Sequence, residues 1–233
     1  IRSGQETRDT LVQPTLINPE ISLASGQKFY GDSIDGHAFR VSSPSFFQVN
    51  VEQTVQVVQV IREALEVKKT DVLLDAYTGV GTFAVLMAPY VGKVIAVEES
   101  SAAVADARLN TGGVPNIELV LGKTEDVLPN LTEKPDAAIL DPPRAGCHPR
   151  TIESLIDLSP PKIAYVSCDA ETLGRDLNLL CESAYTLEQV VPLDMFPQTH
   201  HVECVALLTR KSPAAPIILA SASPRRRELL TGL

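Results

Sequence analysis

The sequence predicts an α/β fold: a mostly parallel sheet with helices on both faces, closed by a C-terminal antiparallel hairpin. Three observations carry this. Between about residues 70 and 183, short β-branched runs alternate with helical stretches, the rhythm of a parallel sheet wrapped by helices. The run VLLDAY at 72–77 leads directly into Thr78-Gly79-Val80-Gly81-Thr82-Phe83-Ala84, a G-x-G-x-x-A loop between a strand and a helix. After Ser183 the rhythm changes to two strand-like runs, Thr186–Leu193 and Val202–Thr209, joined by a loop.

The elements follow in order. Residues 1–45 carry short β-like pieces, Gln27–Tyr30 and His37–Val41, separated by Gly and Asp turns. They are expected to be the remnant of an upstream β-rich region. From Asn50 to Leu65, apolar residues recur at Val51, Val55, Val58, Ile61 and Leu65, the spacing of a helix with one buried face. Strands are expected at Val72–Ala76, Val94–Val97, Ile117–Leu121, Ala137–Leu140 and Ile163–Val166, and the clearest helices at Ser101–Asn110 and Thr172–Ser183. A catalytic domain is therefore expected over 46–211, with 212–233 as a tail of different composition.

Composition narrows the class. With 233 residues and 44% hydrophobic content, the chain suits one sizeable domain plus flanking segments. No run is long and apolar enough to span a bilayer, so no membrane partner is expected. Cys147, Cys168, Cys181 and Cys204 stand far apart with no CxxC pair, which argues against a zinc or disulfide framework and for a reducing, cytoplasmic setting. His200 and His201 lack a third ligand at a metalloprotease spacing, so no metal is expected. The formal charge of −9 argues against a nucleic-acid partner, because phosphate binding favours basic surface. A basic face on an acidic body would satisfy both.

The glycine loop and its surroundings point to a nucleoside-containing cofactor. Gly79 and Gly81 let the backbone turn sharply and approach a ligand, and Thr82 opens a helix with free N–H groups. Glu98 ends the second strand of the alternating region, 19 residues after Gly79, where a carboxylate can accept from both ribose hydroxyls. The bland alternative is a tight turn with a solvated glutamate. NAD and S-adenosylmethionine both fit that geometry. The next discriminating feature is AAIL followed by Asp141-Pro142-Pro143-Arg144, a strand ending in a stiff polar corner. The aromatic residue that often follows this corner in amino-group methylases is Arg144 here, which argues against adenine-N6 chemistry.

Two residues carry the chemical candidates. Cys168 follows the run IAYVS just before a helix, where the dipole and unpaired N–H groups favour a thiolate. Adjacent Asp169 would oppose that if it faced the sulfur. Glu203 opens the final strand; alone, it reads as a solvated edge glutamate.

The chain resembles the RNA uridine-5-methyltransferase family that modifies bacterial ribosomal and transfer RNA. The resemblance rests on separated motifs over residues 46–210: SFFQVN at 45–50, DAYTGVGTF at 75–83, VIAVEES at 94–100, LDPPRAG at 140–146, VSCDAETLGRD at 166–176 and DMFPQTHHVE at 194–203. It implies a class I methyltransferase, Rossmann-like fold that takes S-adenosyl-L-methionine and releases S-adenosyl-L-homocysteine. It further implies cofactor binding by Gln48, Tyr77, Gly79, Gly81, Thr82, Glu98 and Asp141. The nucleophile would be Cys168, the proton-abstracting base Glu203, and the substrate-positioning residues Arg144 and Arg175. The implied partner is RNA, ribosomal rather than transfer RNA, met by a monomer. Uracil C5 is a poor nucleophile, and thiolate addition at C6 would give it carbanion character; the target base must be unpaired or flipped to be reached.

Departures from the family pattern are few. Thr78 replaces a frequent Cys, Asp169-Ala170 replaces an Asn-Pro or Asp-Pro pair, and Gly174 replaces a usual Ala in a helix, at a cost of roughly 1 kcal/mol. Family members usually carry an N-terminal RNA-binding β-barrel; residues 1–45 are not expected to supply one, so weak RNA binding is expected. The tail PIILASASPRRRELLTGL at 216–233 resembles the opening of Maf-like nucleotide pyrophosphatases, which suggests a fusion. Rival expectations are a nicotinamide or flavin oxidoreductase, which leaves the Asp-Pro-Pro-Arg corner, Cys168 and Glu203 without roles, and a noncatalytic cofactor- or RNA-binding module.

Overall fold

A computed structural model describes residues 29–42, 45–48, 50–199 and 202–212. The start of the expected Gln27–Tyr30 strand and most of the tail lie outside these residues.

The chain first makes a hairpin, β1 (Phe29–Ile34) and β2 (His37–Ser42), turning at Asp35-Gly36, where both residues have positive φ. Ile34, Phe39 and Val41 point inward and join the main apolar cluster. Helix α1 (Val51–Leu65) follows, capped by the Asn50 side chain on the Gln53 amide. Its buried stripe is Thr54, Val57, Val58, Ile61 and Leu65. The expected stripe through Val51 and Val55 is therefore corrected by a small rotation: those two valines are only partly buried at its margin.

The alternating region then builds the sheet: β3 (Val72–Ala76), α2 (Thr82–Met87), β4 (Lys93–Glu98), α3 (Ser101–Asn110), β5 (Ile117–Leu121), the short α4 (Thr124–Val127), β6 (Ala137–Leu140), α5 (Pro149–Leu158), β7 (Lys162–Ser167) and α6 (Ala170–Ser183). Strands β8 (Tyr185–Leu193) and β9 (Glu203–Arg210) complete seven strands in the order β5-β4-β3-β6-β7-β9-β8. The first five are parallel; β9 runs antiparallel to β7, and β8 antiparallel to β9. This is the predicted architecture.

The interior strands β3 and β6 are apolar on both faces apart from Asp75, as a covered parallel sheet requires. The hairpin, α1 and α2 supply one apolar cluster with the sheet, and α5 and α6 the other. The strand order reverses beside β3, between β4 and β6. The carboxyl ends of those strands therefore open a crevice, where ligands of such sheets bind. No helix among the described residues is long and apolar enough to cross a membrane.

Candidate active site

A cavity of about 480 Å³ lies at that crevice, within the range of about 300–1,000 Å³ of small-molecule sites. Its nucleotide end is built by the turn after β3. Tyr77, Gly79 and Gly81 all take positive φ, which the two glycines accept without a Cβ penalty. The Thr78 amide donates to the Val97 carbonyl at 2.9 Å, tying the turn to β4. Glu98 then receives the Gly79 amide on Oε2 at 2.9 Å and the Ser100 amide on Oε1 at 2.8 Å. The carboxylate is thus held by two backbone donors, and each oxygen keeps a lone pair for a further donor.

The opposite wall is Ser45–Gln48, delivered by the hairpin. Phe47 is buried and packs edge-on to Tyr30 and tilted against Phe39, with ring centroids 6.3 and 5.6 Å away. That leaves Phe46 68% exposed at the mouth. Buried Gln48 donates its amide to Asp141 Oδ2 at 3.4 Å. Asp141 directly follows β6, and the corner after it closes with the Gly146 amide on the Pro143 carbonyl.

The other end comes from the neighbouring strands β7 and β9. Ser167 of β7 faces Cys204 of β9. Continuing this antiparallel register by one residue sets half-buried Cys168 opposite Glu203, which is 4% exposed. Both line the cavity with Asp141, Arg144 and Phe196.

Burial dominates the electrostatics. It raises the Glu203 carboxyl to about 7. Desolvation, then the charges of Glu203 and Asp75, push Asp141 well above the ordinary carboxylate range, against the Gln48 hydrogen bond. Desolvation and the Glu203 charge also raise the Cys168 thiol, while a hydrogen bond and charge from Arg144 lower it. The expectation that the helix N-terminus alone favours the thiolate is thereby corrected: burial beside an acid outweighs it. Asp169 does not cause the rise. It caps α6, accepting the Thr172 amide and hydroxyl, both at 3.0 Å, and that capping lowers its own pKa.

Of the residues singled out in the sequence, Gln48, Tyr77, Gly79, Thr82, Glu98, Asp141, Arg144, Cys168 and Glu203 converge on the cavity. Two do not. Gly81 turns the chain into α2, and a Cβ there would meet the Thr111 side chain at 3.4 Å. Arg175 is corrected from a substrate-positioning to a loop-holding place. Its Nη2 donates to the Ala145 and Cys147 carbonyls, and it pairs with buried Asp176. Gly146 faces this arginine, and a Cβ there would collide with its Nη2. The cavity also uses Phe46, Ser100 and Phe196, which the sequence reading passed over although all three lie in the quoted motifs.

A crevice at the carboxyl ends of the strands, with an acid tethered beside the glycine turn and a cysteine opposite a buried glutamate, defines a doubly wound α/β chain with a nucleotide-type pocket. The comparisons narrow this. The tRNA (uracil-5-)-methyltransferase family model matches residues 33–138 and 127–211, and the chain belongs to that family. It is 40% identical over 191 residues to an RNA methyltransferase of Oceanobacillus iheyensis, covering 80% of this chain and 42% of that protein. To one of Streptomyces avermitilis it is 40% identical over 200 residues, covering 84% and 45%. It spans less than half the length of these relatives. The crystal structure of Pyrococcus abyssi tRNA (uracil-54, C5)-methyltransferase with S-adenosyl-L-homocysteine superimposes with a TM-score of 0.69 at 36% identity, over 79% of this chain and 45% of that one. An rRNA methylase of Streptococcus thermophilus shares the fold, with a TM-score of 0.57 at 17% identity over 69% of this chain and 97% of that one.

Proposed function

We propose that the chain binds S-adenosyl-L-methionine in the crevice and methylates C5 of uridine in RNA, with Cys168 as nucleophile and Glu203 as base. The observation that carries this is the placement of Cys168 and Glu203 side by side in the cavity that Glu98 and the glycine turn close at its other end.

The residues present fit the cofactor. Glu98, preset by two amides, suits the ribose hydroxyls; the Gly79 backbone leaves room for close approach, with nothing within 4 Å of its Cβ position; Tyr77, Gln48 and Asp141 bound the remainder. When bound, the cofactor supplies a methyl on a sulfonium, an electrophile matched to an electron-rich carbon.

The chain's own groups make that carbon. Cys168, half-buried, releases its proton to solvent, and the thiolate sulfur adds to C6 of the uracil ring, moving the C5–C6 π electrons toward C5 and O4. Arg144 favours the thiolate by its charge and hydrogen bond. Asp141, its carboxyl pushed up by burial and its acidic neighbours, borders the reacting end of the cavity with Gln48. After methylation Glu203 removes the C5 proton; the C–H electrons re-form the C5–C6 bond and expel the Cys168 thiolate. A base raised to about 7 suits that step at neutral pH.

The ribosomal-RNA expectation stands on the resemblance alone, and we take it forward with the cytoplasmic monomer. The test is transfer of labelled methyl to ribosomal RNA and to transfer RNA in separate arms, followed by nucleoside mapping. 5-Methyluridine in either arm supports the reading, and the arm identifies the target. S-adenosylhomocysteine binding together with a methylated base other than uridine contradicts it.

A further inference from the structure

Helix α3 carries a pair of residues one turn apart that no step above uses. Asp106 is a buried acid, 3% exposed. Its Oδ2 accepts three hydrogen bonds: the Ser42 amide at 2.8 Å, the Ser42 hydroxyl at 2.6 Å and the Ser45 hydroxyl at 2.7 Å. Asn110 lies on the same helix face, four residues on. It accepts the Arg40 amide at 2.7 Å and donates to the Arg40 carbonyl at 3.0 Å and the Val80 carbonyl at 2.9 Å. Asn110 thus joins β2 to the glycine turn, and Asp106 joins the end of β2 and Ser45 to α3.

The consequence lies in what those segments do. Ser45 begins the Ser45–Gln48 wall, and Val80 belongs to the turn opposite. Helix α3 itself is capped by Ser100, whose amide orients Glu98. One helix therefore sets the distance between both sides of the crevice. Among the described residues the hairpin pairs with no strand of the seven-stranded sheet, so these bonds, the Gln48–Asp141 bond and apolar contacts hold the wall. We propose that Asp106, supported by Asn110, is a positioning residue for the cofactor: it holds the Ser45–Gln48 wall at the spacing the ligand requires, without touching the ligand. The inference rests on the cofactor reading above.

The experiment is calorimetric titration of the 233-residue chain with S-adenosylhomocysteine, beside its melting temperature. Asp106→Ala removes all three acceptor contacts and should weaken binding at least about tenfold, the scale of one charged hydrogen bond. Asp106→Asn keeps an acceptor oxygen and should stay within about threefold of wild type, a rescue that tracks the contact. Leu180→Ala, in the core at the far end of α6, is the stability control; it should lower the melting temperature and leave affinity unchanged. Ser45→Ala removes one bond only and should cost a few-fold in affinity, which keeps the test decisive if Asp106→Ala does not fold. Wild-type affinity in Asp106→Ala, or in Ser45→Ala where Asp106→Ala fails to fold, overturns the proposal. So does a loss in Leu180→Ala that matches its fall in melting temperature. Wild-type protein that binds no S-adenosylhomocysteine overturns the cofactor reading itself and this proposal with it.

Discussion

Asp75 allows a stability prediction that is independent of catalysis. It is wholly buried in β3; its Oδ2 accepts the Thr78 hydroxyl at 2.5 Å, and its Oδ1 has no hydrogen-bond partner. Burial raises its carboxyl from 3.8 to about 7, against the Thr78 hydroxyl and the Ala84 amide. The native state therefore holds a proton that the unfolded chain has lost between those values. Stability from this group is full below pH 3.8, falls by about 1.4 kcal/mol per pH unit through the window to about 7, and is gone above it. The window of about 3 units corresponds to an upper bound on the order of 4 kcal/mol. Asp75→Asn keeps the shape and an acceptor for Thr78 and removes the titration. Urea unfolding of both proteins from pH 5 to 8 should give a difference that grows with pH in favour of Asp75→Asn and levels off above 7. Glu203 tilts both curves alike; Asp141 loses the Asp75 charge in Asp75→Asn, which flattens that curve and adds to the difference in the same direction. Parallel curves would refute the burial argument.

Three further outcomes follow from named contacts. Glu98→Ala frees the Gly79 and Ser100 amides and should weaken S-adenosylhomocysteine binding by roughly 1–3 kcal/mol in calorimetry; unchanged affinity would sink the ribose assignment. Because Arg144 lowers the Cys168 thiol pKa, Arg144→Ala should shift the rising limb of the methylation pH–rate profile upward. A one-unit shift would slow the reaction near neutrality roughly tenfold. An unshifted limb would remove Arg144 from thiolate formation. Gly174 is exposed in α6 with nothing within 4 Å of its Cβ position, so Gly174→Ala should stabilise the chain by about 1 kcal/mol. A lower denaturation midpoint would show a packing constraint that the helix geometry does not contain.

Much of the fold was legible because its signals are local. The strand at Val72–Ala76, the helix at Ser101–Asn110 and the hairpin after Ser183 announce themselves by apolar runs, period and rhythm. What was misjudged depends on three-dimensional packing. The stripe of α1 rotated because burial by β1, β7 and β9 decides which valines face in, and a 3.6-residue period admits both phases. Arg175 lies in the same motif as Cys168, and sequence proximity suggested a shared role; its guanidinium instead serves the Ala145–Cys147 carbonyls. The rise of the Cys168 pKa is not legible in sequence, because a helix terminus is visible there, whereas the burial of the thiol and the glutamate on the neighbouring strand are not. Asp106 gave no signal at all: its partners are 61 and 64 residues away, and an acid in a helix reads as surface.

In the proposed reaction Cys168 adds to the base and Glu203 releases it. RNA containing 5-fluorouridine tests this, because fluorine cannot leave as a cation and Glu203 has no proton to remove. Incubated with S-adenosylmethionine, the active protein should form an RNA adduct that survives denaturation, carries the methyl group and maps to the Cys168 peptide. Cys168→Ala should form none. Glu203→Gln should form the adduct even on ordinary uridine, since addition and methylation precede its step. A methylated product from Cys168→Ala, or normal turnover by Glu203→Gln, would contradict the assignment.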